Sequence, residues 1–241
     1  MCITISLLSQ KGGVGKSTLT MMLLNALYHK KGMRVLLIDA DYPQLSILKK
    51  RQRELHALTK YPTIKKKYDS IYTNHAPYPI VYCRLTEVKA TLKKYQQDFD
   101  VIFIDIGGTI NQVGIVEFFQ LINYFFIPIL EDDLSIFSSM ELYNILQQQV
   151  RPISPAYKGC KVLFNRVPSK NQLSTIREQL TGIDFMEQEV AAYKLYERAC
   201  RSTIFPMPSK KKETQKFFQF VDHFLQAIEF QPALPTALQE S

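Results

Sequence analysis

The sequence predicts an α/β fold: one domain built on a mostly parallel, twisted sheet with helices on both faces. Three observations predict it. Short apolar runs without polar alternation recur along the chain, as strands buried on both faces require. Segments with helical spacing of apolar residues separate these runs. The chemically distinctive residues fall at the carboxyl ends of the runs, where ligands of open parallel sheets bind. A chain of 241 residues, 46% of them hydrophobic, is long enough to bury one sizeable core.

The elements follow in order. Residues 3–8 read as a first strand, and residues 17–30 as a helix with Leu19, Met22, Leu23 and Ala26 on one face. Residues 34–38 form a second buried strand closed by Asp39. Residues 44–58 are helical and carry Lys49, Lys50, Arg51 and Arg53. Residues 60–78, rich in Lys and Tyr, read as irregular. A short strand is expected at 79–83, a helix at 86–97, and a strand at 101–104 closed by Asp105. A further strand at 125–127 is ended by Pro128, followed by a helix at 134–150. Residues 161–164 make a strand closed by Asn165, and residues 172–180 a helix. Phe217, Phe220, Val221, Phe224, Leu225 and Ile228 repeat at helical spacing within a last helix, 213–229. The domain is expected to span 1–230, with 231–241 a loose tail.

Several function classes are excluded. No run reaches the roughly 18 to 20 apolar residues of a membrane span. Residues 1–8 are apolar but lack the basic start of a signal peptide, so a cytoplasmic location is expected. Cys2, Cys83, Cys160 and Cys200 are too widely spaced for a zinc or redox pair and read as buried thiols. His29, His56, His75 and His223 have no ligand spacing, and no hydrolase triad is apparent. The net charge of +8 permits a polyanionic partner such as DNA or anionic lipid.

One stretch carries chemistry. "SLLSQKGGVGKST", Ser6 to Thr18, places a glycine loop between the first strand and the first helix. Glycines let backbone N–H groups turn inward around a phosphate, and the helix N-terminus adds partial positive charge. This is a P-loop: Gly12, Gly13, Val14, Gly15, Lys16, Ser17 and Thr18 would hold the phosphates. Lys16 would reach the β- and γ-phosphates and the Ser17 hydroxyl would ligate Mg²⁺. The pattern departs from G-x-x-x-x-G-K-[ST], because Gln10 stands where the first glycine belongs and Lys11 is an extra lysine. The fold class is thus a single-domain P-loop NTPase. Asp105 ends an apolar strand beside the phosphates and is suited to hold Mg²⁺. Asp39 reads as a magnesium-supporting or a structural carboxylate. Strand-end Asp residues also serve as helix caps.

"KGGVGKST" resembles the deviant Walker A motif of the ParA/MinD ATPases. "VLLIDADYPQLS" looks like that family's segment after strand two, with Tyr42 standing between Asp41 and Pro43. "VIFIDIGGT" looks like its Walker B strand, with Gly107 and Gly108 where many relatives carry proline. The resemblance covers most of the chain. It implies an ATPase that binds ATP and Mg²⁺, turns over slowly and forms a homodimer in the ATP state. Lys11 would reach across that dimer to the partner's phosphates, and Asp41 would orient the attacking water. Asn165 would pair with adenine, or else serve as a turn residue, with Pro206 in "FPMPS" on the other side of the base.

The resemblance leaves three cellular roles to separate. A ParA-type partition ATPase would bind nonspecific DNA and answer to a ParB-like or other activating partner. It would serve a plasmid, chromosome or conjugative element and associate with the nucleoid. Because the chain begins at strand one, no DNA-reading domain is expected before it. Lys194, Arg198 and Arg201, with Lys210, Lys211 and Lys212 nearby, are the candidate phosphate contacts, or else solvated surface charges. A MinD-like membrane switch would need a basic amphipathic C-terminal helix; the tail after the last helix has no Lys or Arg, which argues against a membrane. An iron–sulfur carrier or a tyrosine kinase would need paired cysteines or a terminal tyrosine cluster, and the sequence has neither.

Overall fold

A computed structural model describes residues 2–108, 113–167, 173–198 and 200–230. The strands are β1 (Ile3–Leu7), β2 (Val35–Asp39), β3 (Ile80–Tyr82), β4 (Val101–Asp105), β5 (Tyr124–Ile129), β6 (Gly159–Val167) and β7 (Val190–Ala191). They form a seven-stranded sheet in the order β3-β2-β4-β1-β5-β6-β7, and every pairing is parallel. β1, β2, β4 and β5 are buried at every position. β2, β4 and β5 accordingly read as near-continuous apolar runs, whereas β1 alternates, and its buried Thr4 and Ser6 hydroxyls donate to the Leu121 and Ile104 carbonyls.

The helices are α1 (Lys16–His29), α2 (Ser46–Lys60), α3 (Pro62–Ile71), α4 (Val88–Tyr95), α5 (Ile115–Phe119), α6 (Asp133–Ile145), α7 (Leu173–Gln179), α8 (Lys194–Arg198) and α9 (Lys212–Ala227). Two cores cover the two faces of the sheet. One joins α1 and α9 to Ile5, Leu37, Phe103 and Phe126. The other joins α4, α5 and α6 to Leu36, Ile104, Phe125 and Ile127. α9 inserts Phe217, Phe220 and Phe224, each 1% exposed or less. Each contributes about 1.5–3 kcal/mol by leaving water. Among the described residues, no helix is long and apolar enough to cross a membrane.

The structure corrects three expectations. Residues 60–78 are not irregular throughout, because they hold α3. Pro62 sits in its first turn, a favourable start. None of its residues is fully buried; Ile64, Tyr68 and Ile71, at helical spacing, form a short half-buried stripe. Pro128 does not end its strand, since β5 runs on to Ile129. In a strand, Phe126 and Pro128 face the same neighbour, β1, which has already ended at Leu7 beside Phe126. The missing N–H of Pro128 therefore breaks no ladder bond. Asn165 does not close β6, which continues to Val167 through Arg166, a residue with φ 57°. The expected tail, 231–241, lies outside the described residues.

Candidate functional site

The parallel register brings the predicted carboxylates together. β2 and β4 pair residue for residue, ending with Asp39 opposite Asp105, one strand away from the glycine loop that leaves β1. Asp105 is buried at 1% exposure and meets both hard-core residues of that loop. Lys16 Nζ lies 3.1 Å from its Oδ1 and also donates to the Ile106 carbonyl. Ser17 Oγ donates to its Oδ2 at 3.1 Å. Lys16, Ser17 and Asp105 thus form one cluster at the N-terminus of α1.

The loop's shape depends on its glycines. Gly13 and Gly15 have φ of 81° and 91°, values that cost a residue with a side chain. At Gly15 there is a second reason. A Cβ there would stand 2.7 Å from Asn165 Nδ2 and 3.4 Å from Arg166 Nε. Asn165, nearly buried, donates to the Val14 carbonyl at 2.7 Å, and Arg166 donates to the Gly13 carbonyl at 3.1 Å. The end of β6 therefore buttresses the loop from outside.

The remaining predicted residues fall in several places. Asp39 is fully buried and accepts the N–H of Leu48 at 3.0 Å and of Asp41 at 3.4 Å. It thereby ties β2 to the first turn of α2. Burial, opposed by those N–H groups and aided by Asp105, raises its pKa. Burial also raises the pKa of Asp41, with Lys16 pulling down and Asp105 pushing up. Lys11 does not join Lys16. It pairs with Asp132, which caps α6 by accepting the Ser135 N–H at 2.9 Å. The hydrogen bond from Lys11 holds the Asp132 carboxyl below its ordinary pKa. Thr18, Asn165 and Lys194 line a cavity of about 260 Å³ with Leu19, Arg166 and Tyr193. Pro206 does not line it; it borders a separate cavity beside Asn25 and His29, farther along α1. Lys194 is exposed and Arg201 half-buried; the Arg198 side chain lies outside the described residues.

Sequence reasoning does not single out Arg166, Asp132 or Tyr193. Arg166 carries a weak signal, as the residue next to Asn165. Asp132 carries a cap signal, an Asp three residues before Ser135 at the start of a helix. Tyr193 carries none.

The donors fit a nucleotide with its metal. A hydroxyl and a carboxylate are hard oxygen ligands of the kind Mg²⁺ takes while it keeps waters and phosphates for its other positions. Among the described residues there is no group of three or more His, Cys, Asp or Glu able to cage a metal.

A strand–glycine loop–helix unit with a strand-end Asp under its lysine defines a P-loop NTPase. The chain belongs to the family described as the CobQ/CobB/MinD/ParA nucleotide binding domain, which matches residues 5–202; its ParA/MinD-type members are ATPases. The fold is similar to that of a plasmid partition protein from Borrelia burgdorferi bound to AMPPNP. That structure has 21% identity and a TM-score of 0.67 over 94% of this chain and 100% of that one. An ATP complex of a McdA variant from Cyanothece has 18% identity and a TM-score of 0.65 over 97% and 98% of the two chains. The cell division protein MinD of Aquifex aeolicus has 19% identity and a TM-score of 0.62 over 96% and 99%. No curated protein sequence matches the chain.

Proposed function

We propose that the protein is a ParA-type ATPase that binds ATP with Mg²⁺, hydrolyses it slowly, dimerises in the ATP state and then binds DNA without sequence preference. Its task would be to segregate or transfer a plasmid, chromosome or conjugative element from the cytoplasm, on the nucleoid, under a ParB-like activating partner. The observation that carries the nucleotide part is the convergence of Lys16 Nζ and Ser17 Oγ on the two oxygens of Asp105. Gly12 to Thr18 would cradle the phosphates, and the cavity from Thr18 to Tyr193 would take the base beside Asn165. Ser17 and Asp105 would hold Mg²⁺, whose charge offsets that of the phosphates. Asp39 would support that pair through the α2 turn, and Asp41 would orient water. Lys11, whose side-chain partner among the described residues is the partly exposed Asp132, would exchange that partner for phosphates of a second subunit.

A MinD-like membrane switch has less support. The apolar face of α9 that such a switch would offer to lipid is packed against the sheet.

The test is ATP turnover and light scattering with ADP or ATP. Lys16→Ala should abolish nucleotide binding or turnover. Lys11→Ala should keep ATP binding and lose the dimer. Wild-type turnover by Lys16→Ala would refute the site assignment, and equal mass with ADP and ATP would refute the dimer.

A further inference from the structure

The positive charge of this chain is not spread over its surface. Residues 46–71, which are α2, α3 and the turn between them, hold eight Lys and Arg against two Asp and Glu. Residues 194–216 hold seven against two. These two segments carry a surplus of eleven, more than the net +8 of the whole chain. The remainder of the protein is mildly acidic.

The fold stitches the two segments together. Arg51, 8% exposed in α2, donates to Thr203 Oγ1 at 2.9 Å, to the Thr203 carbonyl at 2.7 Å and to the Tyr78 carbonyl at 3.0 Å. Glu54, one turn on, accepts the Thr203 N–H at 2.8 Å. Tyr72, just past α3, donates to the Ile204 carbonyl at 2.6 Å. The Lys67 ammonium stands 4.7 Å from the centre of the Phe205 ring. Residues 203–205, the middle of the second segment, are thus gripped from several points of the first. Like charges repel, so bringing two basic segments side by side costs free energy. A ligand that offsets the cost is the natural reason for the arrangement.

We infer that the α2–α3 hairpin is a duplex-DNA contact surface, continuous with the basic segment 194–216, so that DNA lies across both. This rests on the DNA-binding reading above and extends it to residues that reading does not use. α2, with 15 residues, is about 22 Å long. Duplex DNA carries one charge per ~1.7 Å of axis, so a helix of this length spans about a dozen phosphates. Arg53, Lys60 and Lys66 are exposed. Of the two acids, Glu54 is occupied by Thr203 and Lys50, and Asp69 by Lys65. The hairpin suits DNA better than lipid. Its large apolar side chains exposed to water are only Leu55 and Tyr61, too few for the broad apolar face of an interfacial helix.

The test is a triple variant, Arg53→Gln, Lys60→Gln and Lys66→Gln, which removes three charges from exposed sites with little change in helix propensity. Its binding to a random duplex is titrated against salt with ATP and Mg²⁺, alongside wild type and Arg201→Ala. Thermal melting checks that all three proteins fold. The inference expects at least a tenfold loss of affinity near physiological salt. It also expects a slope of log affinity on log salt shallower by about 2 to 3, since each phosphate contact contributes about 0.9. Unchanged affinity and slope in the triple variant, with weakened binding by Arg201→Ala, would overturn this inference and leave the DNA reading intact. No duplex binding by the wild type at low salt, with or without binding to anionic phosphatidylglycerol vesicles, would overturn both.

Discussion

The P-loop edge of the sheet and the hairpin face both concentrate charge, and they do so in opposite ways. At the edge, Lys16 is set against Asp105 with Asp39 and Asp41 close by, and Asp105 and Asp39 are out of water. At the hairpin face, lysines and arginines outnumber acids four to one and mostly stand in solvent. Balanced charge in a low-dielectric cleft is strongly felt over a few ångströms and is suited to holding phosphate and metal. Unbalanced charge in water attracts over about a Debye length and is suited to a large polyanion. The contrast separates the proposed chemical site from the proposed holding surface.

The largest effect should come from breaking the seam beneath the hairpin face. Arg51→Met keeps much of the volume but deletes three hydrogen bonds from a buried guanidinium. It leaves the carbonyls of Tyr78 and Thr203 without that donor. A loss of about 3 kcal/mol is expected, a fall in Tm of roughly 10 °C for a domain of this size. Below its melting transition the variant should bind ATP as the wild type does. If ATP affinity falls in the folded variant, the two regions are one cooperative unit and the contrast between them fails.

The two regions also differ in how far the sequence discloses them. The edge is legible because its parts are local or register-bound. The glycine loop is one contiguous motif, and Asp39 and Asp105 end apolar runs that a parallel sheet must align. The seam is not legible. Arg51 and Thr203 are 152 residues apart, and neither belongs to a motif. In the sequence Arg51 is only one of a basic cluster; in the fold it is the buried member. α3 escapes notice because its apolar stripe, Ile64, Tyr68 and Ile71, is short and only half-buried and stands among Lys65, Lys66, Lys67 and Asp69. Residues 190–193 line the cavity beside Asn165 while Pro206 borders another farther along α1, a separation for which the sequence offers no measure.

A second variant probes the edge. Gly15→Ala puts a side chain at φ 91° and a Cβ 2.7 Å from Asn165 Nδ2. The backbone strain alone costs about 1–3 kcal/mol, and Asn165 must move away from Val14. Nucleotide binding should drop at least tenfold, measured by calorimetry. DNA binding by the hairpin face should fall only where it depends on ATP. A variant that binds ATP normally would mean that β6 does not buttress the loop.

The smallest effect should be the most specific. Asp41 has a raised pKa, with burial the main cause. For a carboxylate this sign means that the folded state disfavours the ionised form, so the charge subtracts stability above the folded pKa. That penalty fades as pH falls through the folded pKa toward the ordinary value of 3.8. Asp41→Asn removes the charge and keeps the shape. It should therefore melt a few degrees higher than wild type at pH 7, with the gap closing as the medium is acidified, while turnover falls. A gap that persists at low pH would place the gain in packing rather than in charge. A gap that widens would mean that the ionised Asp41 is stabilised in the fold by Lys16. The edge would then be a balanced ion cluster without the residual carboxylate strain that bound metal and phosphate are expected to relieve.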